Sequence, residues 1–175
     1  MSKKVFLKGT LILACTGLVS RIAGFFYRIF LSHAIGAEGL GLYQLILPLQ
    51  GLMAALSYTG IQSALSRLIA SRLALQEKKE AYFSLVTGIF AAVFFSAVTG
   101  FLLFRHADFF SFTILKAPGT SDLLRLTAAS IPLCAIHSCI DSYYYARKKA
   151  SVPAAVQLSE QAVRIGATHI LYLIF

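Results

Sequence analysis

Arg21 and Arg28 stand inside a segment, residues 5–35, that is otherwise apolar over a length sufficient to cross a bilayer. Gly17, Arg21, Gly24 and Arg28 are spaced four, three and four apart, so on a helix they share one face. Leu18, Ile22, Phe25, Phe26 and Ile29 cover the remainder. An arginine at the centre of a membrane helix costs about 2.5–3.5 kcal/mol on insertion scales. Such residues face a bundle interior or a wet cavity, pair with other groups, and mark substrate paths. Arg21 therefore reads either as a cation lining a hydrophilic cavity or as half of an internal ion pair. At ~1.5 Å per residue it lies about 20 Å beyond Lys8, near mid-membrane or in the outer half. Arg28, about 30 Å beyond Lys8 by the same rise, is placed equally well in the cavity or at the outer headgroups, snorkelling. Gly17 and Gly24 also read as small residues that let helices pack closely.

A second polar stripe repeats the spacing near the other end of the chain. Gln157, Gln161, Arg164 and Thr168 follow a four-three-four pattern, and Glu160 precedes Arg164 by four, the favoured order for an intrahelical pair. Glu160 and Arg164 either neutralise one another so that the helix can be buried, or join Arg21 in lining a cavity. The two readings overlap.

The elements that must carry these stripes follow from composition. Of 175 residues 58% are hydrophobic and only 13% charged, against about 25% charged in a soluble domain. The chain is an integral membrane protein, all-α, a polytopic helix bundle with about five transmembrane helices at roughly 20 residues each. The spans fall at about 5–32, 40–64, 82–104, 123–145 and 153–175, in a single transmembrane domain covering 1–175. Between the first two, residues 33–39 form a glycine-rich turn. Pro48 predicts a kink in the second span, whose helix continues out of the bilayer through Arg72. The third span is the plainest lipid-type segment, with Ile89 to Phe95 at its centre. Residues 105–121 form an exterior loop, with Phe109 to Phe112 along the interface. Pro118 to Asp122 supply a turn and an N-cap signal. The fourth span is interrupted at Pro132, and Tyr143-Tyr144-Tyr145 beside Arg147 is an interfacial cluster.

Charge sets the topology. With the N-terminus inside, the interior segments hold Lys3, Lys4, Lys8, Arg67, Arg72, Lys78, Lys79, Arg147, Lys148 and Lys149, and the exterior ones only Arg105, Lys116 and Arg125. Ten against three places the N-terminus in the cytoplasm and Phe175 outside. The formal charge of +9 is thus accounted for by helix ends and does not predict nucleic-acid binding. Hydrophobicity continues well past Cys15, so the first segment reads as a span and not as a cleaved signal. Cys15, Cys134 and Cys139 lie in apolar stretches without metal or redox spacing and predict no disulfide. Gln44, Gln50, Ser57, Thr59, Gln62, Ser63 and Ser66 read as hydrogen-bonding glue between helices, Asp141 as interfacial and His137 as a core residue. There is no phosphate loop, no His-Glu-x-x-His, no nucleophile elbow and no acidic cluster. Neither an enzyme, a cofactor nor a metal site is expected.

Several strings taken in order resemble one family. Ser20 to Arg28, then Ile35-Gly36-Ala37-Glu38-Gly39-Leu40-Gly41-Leu42-Tyr43-Gln44, are similar to the opening of the stage V sporulation protein B family. Gly60 to Leu68 looks like its second-helix signature, and Tyr143 to Tyr145 with Pro153 to Arg164 like its fourth and fifth helices. The family belongs to the multidrug/oligosaccharidyl-lipid/polysaccharide flippase superfamily, whose members include the lipid II flippases. The resemblance implies a MATE-like two-lobed bundle of about fourteen helices working by alternating access in the bacterial plasma membrane. This chain would be an incomplete N-terminal lobe whose partners are membrane lipids and the missing C-terminal helices of the parent. The implied cargo is an undecaprenyl-pyrophosphate-linked saccharide, and the resemblance implies substrate contacts at Arg21 and Arg28, to which the polar stripe of the last span adds Arg164, Glu160, Gln157 and Gln161 as candidates. Gln62 stands where the family often has proline, and Ser142 and Ala146 where glycines are common. The competing expectations are a cation-coupled drug exporter of the same superfamily, and a non-transporting scaffold or degenerate fragment.

Overall fold

The computed structural model describes the backbone of residues 3–174 and the side chains of residues 9–174. Lys3, Lys4, Lys8 and Phe175, used above for topology, lie outside the residues whose side chains are described. Helix α1 (Lys3–Ala54) passes through a π-turn (Ala55–Thr59) into α2 (Gly60–Ala74). Helix α3 (Lys78–Arg105) follows, then the short α4 (Ala107–Phe109) with a second π-turn (Phe110–Ile114), α5 (Ser121–Ala146) and α6 (Ser151–Ile174). Among the described residues there is no strand. Among the described residues, three stretches are long and apolar enough to cross a membrane: Gly9–Ala74, Lys78–Arg105 and Ser121–Ala146. The first has 66 residues; kept straight it would be about 100 Å long, some three hydrocarbon thicknesses. Its helical geometry breaks at Gly36, with φ 75° and ψ 173°, separating an arm over 3–35 from one over 37–54. That φ suits a residue without a Cβ. The expected turn over 33–39 is thus one residue wide. Helix α6, at 24 residues, spans about 36 Å, but its polar stripe leaves it outside the group that meets the apolar measure.

The chain divides into two compact units, residues 1–40 with 148–175 and residues 41–147. The second is a helical bundle with two apolar clusters. At one end Ile46, Leu49 and Met53 of α1 pack with Leu103, Ala107, Leu124, Ala128 and Ile131. At the other, Leu65 and Ile69 of α2 pack with Ala81 and Ala92 of α3 and Ala135, Cys139 and Ala146 of α5. Tyr58 touches both clusters. It sits in the first π-turn, where the Ser57 hydroxyl donates to the Met53 carbonyl at 2.7 Å and that of Thr59 to Ala54 at 3.1 Å. Hydroxyls bonding back to upstream carbonyls offer the backbone an alternative to its ladder, and such insertions are a known cause of local widening. Pro48 lies inside α1, and the residue at which that helix leaves helical φ and ψ is Gly36.

The third span, expected as the plainest lipid-type segment, is the most apolar of the membrane-length stretches, and one face of it packs on α5. Ala92, Ser96 and Gly100 are buried on α3 at four-residue spacing, continuing from Gly88. This is a small-residue stripe that lets two backbones approach. Phe90, Phe94 and Phe101 on its other side are exposed. Pro132 lacks the N–H that would bond the Ala128 carbonyl, and that oxygen lies 2.9 Å from where a Cβ on Gly100 would stand. Thus α5 runs on through Pro132, and the oxygen its ring releases meets the Cα of α3. The 105–121 loop is more ordered than expected. The Thr120 hydroxyl bonds the Ser111 hydroxyl and the Ala117 carbonyl, both at 2.9 Å, and makes no cap bond to α5.

Gly100→Ala should lower the detergent-solubilised unfolding midpoint, since overpacking costs typically about 1–3 kcal/mol. Gly41→Ala, where an added Cβ meets nothing within 4 Å, should change it by less than about 0.5 kcal/mol. Equal midpoints for the two variants would refute the crossing geometry.

Candidate functional site

The first unit pairs the arm over residues 3–35 with α6. The Tyr27 hydroxyl and Thr168 Oγ1 are 3.3 Å apart. Three residues on, the Phe30 ring stacks against His169 and Tyr172 with centroids at 5.6 and 5.5 Å. Both residue numbers rise together, so the two helices run parallel. That register brings Ser20 level with Gln161, seven residues before Tyr27 and Thr168 respectively.

At ~100° per residue, Thr16, Ser20, Tyr27 and Leu31 fall on one face of the arm, and Thr16, Ser20 and Leu31 are buried. Gly17, Arg21, Gly24 and Arg28 form the adjoining flank. Both arginines are exposed, and a Cβ added at Gly17 or Gly24 would meet nothing within 4 Å. On α6 the face that carries Thr168 also carries Gln157, Gln161 and Arg164. Gln161 is half-buried, whereas Gln157, Glu160 and Arg164 are exposed. The structure therefore brings Gln161 into a polar seam with Ser20, Tyr27 and Thr168, and places Arg21 and Arg28 along the margin.

Among the described residues, Arg21, Arg28 and Arg164 form no ion pair. Inside the seam, Ser20 Oγ and Gln161 Oε1 are buried and have no hydrogen-bond partner among the described residues. An unsatisfied buried polar atom costs about 1–3 kcal/mol, so the seam is suited to taking up a polar group. A serine can donate and accept, and a glutamine carbonyl accepts. Together the seam and its margin offer neutral hydrogen-bonding groups next to guanidinium forks.

Ser20 and Tyr27 were not singled out as site residues from the sequence, although both lie within the string Ser20 to Arg28. The signal that finds them is the same one that finds the arginines. Positions 16, 20, 27 and 31 repeat the four-residue and seven-residue spacing of a second face one step round the helix.

A family model described as polysaccharide biosynthesis protein matches residues 6–175. Stage V sporulation protein B of Bacillus subtilis (strain 168) is 33% identical to the chain over 180 residues. That alignment takes in 100% of this chain and 34% of the relative, so the chain spans about a third of the length of the curated protein it matches. No solved structure matches it.

A double-mutant cycle of Tyr27→Phe and Thr168→Ala measures the seam. Interhelical hydrogen bonds in membranes average about 0.6 kcal/mol and reach about 1.7, so the coupling should be at least about 0.5 kcal/mol. Additive single-mutant effects would show that the two hydroxyls do not meet.

Proposed function

The chain belongs to the polysaccharide biosynthesis protein family, and on that premise we propose that it is the N-terminal part of a flippase for lipid-linked saccharides. The observation that carries the reading is the pair of exposed arginines on the first arm, without an ion pair among the described residues, beside the hydrogen-bonding seam with α6. A lipid-linked saccharide presents a phosphate or pyrophosphate joined to a sugar, and neither crosses hydrocarbon unaided. Guanidinium forks match phosphate oxygens bidentately, and a low-dielectric surround strengthens the attraction. The seam supplies what the sugar side needs, neutral donors and acceptors at fixed spacing.

In this account Arg21 binds the phosphate nearest mid-membrane, while Arg28 and Arg164 extend the cationic margin along the helix pair. Gln157, Gln161 and Glu160 hydrogen-bond the saccharide, and Gly17 and Gly24 keep the flank low enough for a headgroup to reach the guanidiniums. Two arginines on an otherwise apolar arm also favour transport over a passive scaffold, which would gain nothing from carrying them. The N-terminus lies in the cytoplasm, and the protein sits in a bacterial plasma membrane. Rocking of this lobe against a second one exposes the arginine flank to either side in turn. The cargo is an undecaprenyl-pyrophosphate-linked precursor of peptidoglycan or another polysaccharide.

Arg21→Ala in the full-length protein, scored for translocation of the lipid-linked precursor at matched expression, should lose at least tenfold. Removing one charge-assisted hydrogen-bonding partner is worth about 1.5–3 kcal/mol. Arg21→Lys should recover only part, having lost the fork. Normal translocation by Arg21→Ala would sink the assignment. Uptake of a cationic dye that depended on Glu160 would favour an ion-coupled exporter.

A further inference from the structure

In the second unit, α2 and α5 leave a surface pocket of about 420 Å³ lined by Gln62, Ser63, Ser66, Arg67, Ser142 and Tyr145. We propose that this pocket binds the phosphate headgroup of an anionic membrane lipid. It belongs to the compact unit of residues 41–147 and does not depend on the flippase reading.

The floor of the pocket is fixed and its lip is not. Ser142 Oγ is buried and reaches two acceptors, the Ser138 carbonyl on its own helix at 2.9 Å and the Gln62 carbonyl across on α2 at 3.1 Å. That hydroxyl ties the two helices together at the base. Above it, the Arg67 guanidinium, the Ser66 hydroxyl, the Gln62 carboxamide and the Tyr145 phenol make no hydrogen bond or ion pair among the described residues. The neighbouring arginines are engaged. Arg72 Nη1 donates to Glu77 Oε2 at 2.9 Å, and Arg147 lies 5.3 Å from the Tyr143 ring centroid and bonds its hydroxyl. One cation with three neutral hydrogen-bonding groups, converging on a concave surface, is the donor set a phosphate takes. The carboxylate of Asp141, one turn before Tyr145, is 3.8 Å from His137 Nε2, and Glu77 is held by Arg72.

The position selects a lipid over free phosphate. Arg67, Arg72, Lys78, Lys79 and Arg147 all lie at the end of the bundle where Ile69, Ala81 and Ala146 pack, and Tyr143 to Tyr145 form an aromatic girdle there. That combination marks headgroup level, and basic pockets between membrane helices are suited to anionic headgroups.

The test is native mass spectrometry of the full-length protein in detergent, titrated with phosphatidylglycerol, and in a separate arm with inorganic phosphate. The wild type should retain one phosphatidylglycerol that Arg67→Gln binds about tenfold more weakly, as expected for one lost charge-assisted contact. Ser66→Ala with Tyr145→Phe should weaken it about threefold, while Arg72→Gln should leave it unchanged. Wild-type lipid retention by Arg67→Gln would overturn the proposal. So would an equal loss in Arg72→Gln, which would mean diffuse attraction to a basic surface, or displacement of the lipid by millimolar inorganic phosphate, which would mean a free-anion site. None of these readouts uses translocation, so failure here leaves the arginine flank untouched.

Discussion

A guanidinium cannot give up its proton and cannot rest in hydrocarbon, and that pair of facts governs the first unit of this protein. Arg21 and Arg28 lie on a helix whose outer surface carries Leu18, Ile22, Phe25, Phe26 and Ile29, beside the face of Thr16, Ser20 and Tyr27. No described carboxylate pairs with them. Whatever surrounds this arm in the membrane must therefore be wet, charged or phosphate-bearing along one flank and apolar along the other. Everything proposed for the seam with α6 follows from that asymmetry.

The second unit meets a different constraint, how to hold helices together where lipid is as apolar as their side chains. It uses close approach. The stripe from Gly88 to Gly100 on α3, the carbonyl that Pro132 frees on α5, and the Ser142 bridge to Gln62 are three forms of the same device, with backbone or small polar atoms brought within a few ångströms of a neighbour. In the structure the Ser142 hydroxyl meets the backbone carbonyl of Gln62, an acceptor that any residue at position 62 would offer.

The helical class and the polar stripes were legible because both are matters of composition and period. A 13% charged chain cannot fill a soluble surface, and four-three-four spacing puts residues on one helix face whatever surrounds them. Gly36 was legible as part of a turn, though not as its sole break, because the sequence carries three glycines within six residues and only the φ of one goes positive there. The π-turn at Ala55–Thr59 was not legible, because it rests on the Ser57 and Thr59 hydroxyls bonding upstream carbonyls, a choice that the sequence pattern does not display. What could not be read was pairing. The sequence places Ser20 and Gln161 some 140 positions apart, and the Tyr27–Thr168 contact is needed before their register can be counted.

The central claim is that the Gly17–Arg28 flank faces water in the working protein. It is tested by introducing Arg21→Cys and Ile22→Cys separately into the full-length protein, with Cys15, Cys134 and Cys139 replaced, and reacting intact membranes with a membrane-impermeant maleimide. The account predicts that the thiol at position 21 is labelled and that at position 22 is not. Equal protection of both would place the flank in lipid or sealed protein and contradict it.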